Sequence, residues 1–338
     1  MKGYLIAALF SIIATLGITS CRPTASNGDA TRTRQEEKRI KTPARFNRDS
    51  AYSYVRRQLA FGPRVSGTEG NRLCREYLVN ELRRHGAQNV NVQTGEVTAF
   101  NGDRLPIGNI MASYKPEIHD RILLLAHYDT RPWCDSDQNE ENRLKPVLGA
   151  NDGGSGVAVL LEVARHLNET EPPVGVDILL VDAEDYGQAS GFSTHDTSWC
   201  LGTQYWVENM PYPADSLPRY AVLLDMVGGM DAKFHREYFS DQNASKLVDK
   251  VWSVAARSGY ENRFINKSGG AVVDDHIFLN DAGIPAIDII ESKNESTGTF
   301  APTWHTTDDT LENIDPSSLE AAGQTVLNLI YNEIRCMK

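Results

Sequence analysis

Arg121-Ile-Leu-Leu-Leu-Ala-His-Tyr-Asp-Thr130 is the stretch from which the fold can be read. Its apolar run, Ile122–Ala126, is short and unbroken, and it stops at a histidine and an aspartate. A run with no polar face fits a strand buried on both sides. Three nearly continuous runs of the same kind follow: Val176–Val181, Ala221–Leu224 and Ala286–Ile290. Segments with helical spacing separate them, at Ser155–Leu167, Thr203–Asn209, Ala244–Arg257 and Asp275–Leu279. Strands alternating with helices predict an α/β class chain, a three-layer α/β/α sandwich on a mostly parallel central sheet.

The reading extends outward in both directions. Upstream, helices are expected at Ala51–Leu59 and Glu69–Arg84, the second with Leu73, Tyr77, Leu78 and Leu82 on one face. Thr68 stands where a cap belongs. Strands are expected at Val90–Val97 and Asn109–Tyr114, and a last helix at Ser317–Ile334. No internal repeat is present.

The N-terminus has a different character. Lys2 precedes an apolar run, Tyr4–Ile18, which is shorter than the ~20 residues that span a bilayer and has the length of a signal-peptide core. It ends in Ile18-Thr19-Ser20-Cys21, which resembles a bacterial lipobox. The resemblance implies that residues 1–20 are a lipoprotein signal peptide and that Cys21 is acylated. The chain would then be held to a bacterial membrane, facing the periplasm. Residues 21–46 are polar and charged, and are expected to form a tether. Residues 47–338 are then a single catalytic domain.

The net charge is −11 and no Lys/Arg cluster occurs, so nucleic acid is not an expected partner. Besides Cys21 the cysteines are Cys74, Cys134, Cys200 and Cys336, with no zinc-type Cys-x-x-Cys spacing. The sequence does not choose among their three pairings.

Acidic and histidine residues recur just after the buried runs. His127-Tyr128-Asp129 follows the first, Asp182-Ala183-Glu184-Asp185 the second and Asp225 the third. Open α/β sheets bind ligands beyond the carboxyl ends of their strands. Carboxylates gathered there repel unless a cation or a shared proton compensates. Two loops add to the set: Gly149-Ala150-Asn151-Asp152-Gly153-Gly154-Ser155-Gly156 and Trp304-His305-Thr306-Thr307-Asp308-Asp309-Thr310. Asp152 has a structural alternative as a helix cap. Zinc takes nitrogen and carboxylate ligands and keeps one position open in catalytic sites. Asp152, Asp185 and His305 are the expected ligands, leaving Glu184 as acid/base. The acidic segment 133–145 is expected to be a solvated loop, with attraction of ammonium groups or calcium as the alternative.

The motifs H-Y-D-T, N-D-G-G-S-G, D-A-E-D, L-L-D-M-V-G and W-H-T-T-D-D-T, in this order, resemble the zinc aminopeptidase superfamily over nearly the whole chain from Ser50. That superfamily includes two-zinc aminopeptidases and one-zinc glutaminyl cyclases of the animal type. His127, Asp152, Glu184, Asp185, Asp225 and His305 match both. The segment Val273-Asp274-Asp275-His276-Ile277-Phe278-Leu279 and the residues Phe300 and Trp304 resemble the cyclases. The resemblance implies cyclisation of N-terminal glutamine to pyroglutamate with release of ammonia, on peptides and secreted proteins, with one Zn2+ per chain. Glu184, Asp225 and Asp274 would form the catalytic set, Trp304 and Phe300 would bind substrate, and His127 would support the ligands. A two-zinc aminopeptidase is the alternative, and a non-catalytic binding protein a third.

The chain departs from the family at two points. Asp185 stands where glutamate is usual, and the second pocket tryptophan has no clear match. Phe192 and Trp199 are the candidates for it.

Overall fold

Strand β3 (Arg121–His127) is buried at every position, as is β4 (Gly175–Val181), and the two pair in parallel. In the computed structural model, which describes residues 45–189, 196–213 and 215–334, they lie at the centre of a six-stranded sheet. Its order is β1-β2-β4-β3-β5-β8, where β1 is Asn89–Thr98, β2 Arg104–Tyr114, β5 Ala221–Leu224 and β8 Ala286–Ile289. β4, β3, β5 and β8 run parallel, while β1 and β2 form an antiparallel hairpin at one edge.

Side chains of a strand alternate between faces, and the core follows that period. Ile122, Leu124 and Ala126 join a cluster with residues of α1 (Arg48–Leu59), α2 (Glu69–Arg84), α3 (Ser155–Glu169), α5 (Tyr238–Arg257) and α7 (Pro316–Tyr331). Leu123 and Leu125 face the other way, onto Trp206 of α4 (Leu201–Glu208) and Leu279 of α6 (Asp275–Asp281). Helices thus cover both faces, and the expected three-layer sandwich is the fold. Thr68 caps α2 by accepting from the Asn71 N–H.

Three features differ from the sequence reading. A two-stranded parallel sheet, β6 (Phe234–Arg236) with β7 (Phe264–Ser268), was too short to show a period. Helix α5 begins at Tyr238, capped by Glu237, and is interrupted at Ala244, where φ −139° and ψ 41° leave the helical region. Its polar first turns concealed that start. Phe46, expected as the last residue of a tether, packs into the fold. Phe46 is buried, its N–H donates to Gln324 Oε1 at 2.8 Å, and its ring fills the space a Cβ on Gly323 would occupy.

Candidate active site

Because β3, β4 and β5 are parallel, their carboxyl ends share one edge, and that edge collects His127, the 182–185 turn and Asp225. The three carboxylates of the turn divide their work. Asp182 is wholly buried and accepts from Ser66 Oγ, Asn71 Nδ2, the Ala183 N–H, the Gly108 N–H and the Tyr128 hydroxyl. It is therefore an anchor of the turn. Glu184 and Asp185 are turned to the site, and the carboxylate of Asp129 holds their backbone, accepting from each N–H at 3.1 Å.

The loop 149–154 carries Asp152 in. Asp309 fixes it by accepting from the N–H groups of Asn151 at 2.7 Å and Asp152 at 3.0 Å. Buried Arg64 donates to the Leu148 and Gly149 carbonyls from the other side. Gly153 has φ +78°, and a Cβ there would sit 2.2 Å from the Asp129 carbonyl oxygen, so this corner requires glycine. Asp152 is not the cap of α3, a place held by Gly154.

The side chains meet in two triplets that share Asp152. His305 Nε2 lies 3.1 Å from Asp185 Oδ1 and 3.5 Å from Asp152 Oδ2. His127 Nε2 lies 3.0 Å from Asp152 Oδ1 and 3.1 Å from Asp225 Oδ1. Asp185 Oδ2 is buried without a hydrogen-bond partner. Burial alone would lower the His305 pKa, yet Asp185, Asp135 and Asp152 overcome it and lift it to about 9. Burial, with Asp152 beside it, raises Asp185 to about 6. A site that strains Asp185 toward protonation while offering a second carboxylate in Asp152, one imidazole and an unpartnered oxygen has the donors and the charge that Zn2+ requires.

Behind the triplets lies a buried acidic group. Glu184 Oε1 accepts from the Cys200 thiol at 3.2 Å, and Glu184, Cys200 and Asp274 converge within 4.8 Å. Burial pushes the Glu184 carboxyl well up; His127 opposes this, and Asp185, Asp274 and Asp275 add to it. Asp225 is raised to about 7, chiefly by burial. Asp274, Asp275 and Asp288 are all raised, burial again coming first. Ala183, Cys200, Met226 and His305, which sit within the site or beside its residues, have left-handed φ of 46–57°. Such strain costs roughly 1–2 kcal/mol per residue and is found where function holds the backbone.

A pocket of about 600 Å³ opens over this group. Trp304 stacks on His305 with ring centres 3.7 Å apart, and Phe300 packs on Trp304 at 4.7 Å. Trp199 lies nearly parallel to the His305 ring at 6.1 Å, with the Arg131 guanidinium over its own ring at 4.7 Å. Trp199 therefore lines the pocket as one of the two candidate walls, while Phe192 lies outside the described residues, as do Cys21 and Cys336. Cys74, Cys134 and Cys200 are free thiols.

All the sequence-selected site residues from 127 to 305 come together. The sequence did not assign Asp129, Asp309, Cys200, Asp275 or Asp288, although Asp129 and Asp309 stand inside quoted motifs. The acidic segment 133–145 is also more than a solvated loop. Asp135 Oδ1 sits 3.4 Å from His305 Nδ1, and Asp137 Oδ2 accepts from the Thr307 N–H and hydroxyl.

Residues 109–330 match the model of Peptidase family M28. A glutaminyl cyclase of Bacteroides thetaiotaomicron, bound to N-acetylhistamine, is 46% identical with a TM-score of 0.82, covering 86% of this chain and 99% of that one. A Zn-dependent exopeptidase of Parabacteroides distasonis gives the same identity, coverage and TM-score. Aminopeptidase YwaD of Bacillus subtilis is 25% identical over 67% of this chain, which spans only 45% of that protein's length. The chain belongs to peptidase family M28.

Proposed function

We propose that the chain is a glutaminyl-peptide cyclotransferase that converts N-terminal glutamine of peptides and secreted proteins to pyroglutamate, using one zinc ion held by Asp152, Asp185 and His305. The observation that carries this reading is the aromatic enclosure of the zinc-type triplet, in which Trp304 lies 3.7 Å from His305 with Phe300 behind it. Aromatic walls exclude water and hold a short amide side chain in one orientation. The 46% identity to a bacterial glutaminyl cyclase over 86% of the chain supports it.

The substrate's α-amine nitrogen attacks its own Cδ, a C–N bond forms, the Cδ–Nε bond breaks, and ammonia leaves. Asp152, Asp185 and His305 would hold the zinc ion, which when bound would supply Lewis-acid chemistry to the carboxamide. Glu184 accepts the proton of the α-amine and returns it to the departing nitrogen. Burial, with Asp185, Asp274 and Asp275 nearby, raises the Glu184 carboxyl, which keeps it basic enough for the first transfer and able to hold the proton until the second. The ring closure is already intramolecular in the substrate, and the walls add to that by holding amine and carboxamide in register.

A second reading, a two-zinc aminopeptidase, is favoured by one observation: His127, Asp152 and Asp225 form a second triplet sharing Asp152. In the cyclase, His127 instead joins Asp152 to Asp225 and orients the former. Mass spectrometry of a Gln-initiated peptide treated with the zinc-loaded protein tests the choice. Loss of one ammonia with every residue retained is expected; release of free glutamine would overturn the cyclase.

For the N-terminus, the Ile18-Thr19-Ser20-Cys21 sequence supports a lipid anchor on a periplasm-facing bacterial membrane. Among the described residues no helix is long and apolar enough to cross a membrane. A Cys21→Ser variant should move from the membrane to the soluble fraction. The chain's net charge of −11 argues against nucleic acid as a partner.

A further inference from the structure

The described lining of the pocket includes seven carboxylate residues and one histidine, but no lysine or arginine. Most of the seven lie in the floor, where zinc binding, His127 or shared protons account for their charge. Asp135 is committed to Arg131, which donates to it at 2.9 and 2.6 Å, and to His305. Asp196 differs. It lines the pocket, is half-buried, and engages only its near neighbour Ser198 through Oδ1 in the described contacts.

Neither lysine nor arginine stands near in sequence to offset Asp196, and the adjacent His195 lies outside the described residues. From Tyr186 to Pro218 the chain has no lysine or arginine. Arg131, which reaches this wall, is 1% exposed and is held by Asp135 and the carbonyls of Asp185 and Gly187. A peptide whose first residue sits in the pocket must lead its next residues out past this rim. An anionic side chain there meets the Asp196 carboxylate as like charge, and a cationic one meets it as opposite charge in a cleft whose walls focus the field.

We propose that the pocket selects substrates by charge, accepting glutaminyl peptides with lysine or arginine just after the glutamine over those with aspartate or glutamate, and that Asp196 is the discriminating side chain. This inference rests on the cyclase reading.

The test is the rate of ammonia release, as kcat/KM, from Gln-Lys-Ala, Gln-Ala-Ala and Gln-Glu-Ala amides with the zinc-loaded enzyme. At about 20 mM salt the lysine peptide should exceed the glutamate peptide by about 10-fold, and about 0.5 M salt should shrink the gap as screening shortens. Asp196→Asn should narrow the low-salt ratio and Asp196→Lys invert it, with the Gln-Ala-Ala rate retained as the check on folding. Equal rates for the lysine and glutamate peptides, with ammonia from both, would overturn charge selection and leave the cyclase reading intact. A ratio unchanged in both variants would remove Asp196 from the role. No ammonia from any peptide would overturn this inference together with the reading beneath it.

Discussion

Asp135 Oδ1 lies 3.4 Å from Nδ1 of His305, the ring nitrogen opposite the one that faces Asp185 and Asp152. A carboxylate behind a ligand histidine fixes the ring's tautomer and raises its basicity, and removing such a partner typically lowers metal affinity about 10–100-fold. Asp135→Asn should therefore weaken zinc binding by that factor in a chelator competition. Unchanged affinity would make Asp135 only a partner of Arg131.

Glu184→Gln separates the base from the ligands. Asp152, Asp185 and His305 remain, so bound zinc should be unchanged in metal analysis. Turnover should fall by at least ~100-fold, the low end of the loss for a general acid–base group. Retained turnover would remove Glu184 from the proton path.

Phe46 tests where the folded domain begins. Its ring fills the notch at Gly323, and replacing a buried phenylalanine by alanine costs about 3–5 kcal/mol. Phe46→Ala should lower unfolding stability in urea by an amount in that range. A loss near zero would show that the segment is dispensable.

Glu162 of α3 gives the fold a pH dependence away from the site. Burial raises its pKa, but His166 and Arg165 outweigh burial and hold it at about 2, from an ordinary 4.5. A carboxyl depressed on folding stabilises the fold fully above its unfolded pKa, and that contribution is lost as pH falls from about 4.5 toward 2. Urea midpoints at neutral pH and near pH 3 should differ less in Glu162→Gln than in the parent. Equal pH slopes would contradict the assignment.

The parallel sheet was legible because Ile122–Ala126 and its companions carry no polar face, and that pattern has few other solutions. The ligating and acidic residues were legible because they follow those strands directly. Less visible were residues whose work depends on distant partners. Asp129 acts by holding the Glu184 and Asp185 backbone, and Asp309 by holding the 151–152 loop. Neither has a spacing that announces it. Asp288 lies inside a buried strand, where its charge is hidden by apolar neighbours. Cys200 reaches Glu184 only because its backbone adopts φ +57°, which local propensity does not anticipate.

The most direct test runs two assays on one zinc-loaded sample lacking residues 1–21: ammonia release from a Gln-initiated dipeptide, and cleavage of a Leu-initiated chromogenic substrate. The account predicts ammonia without leucine release. Leucine release without ammonia would contradict it, and would make His127 and Asp225 ligands of a second zinc.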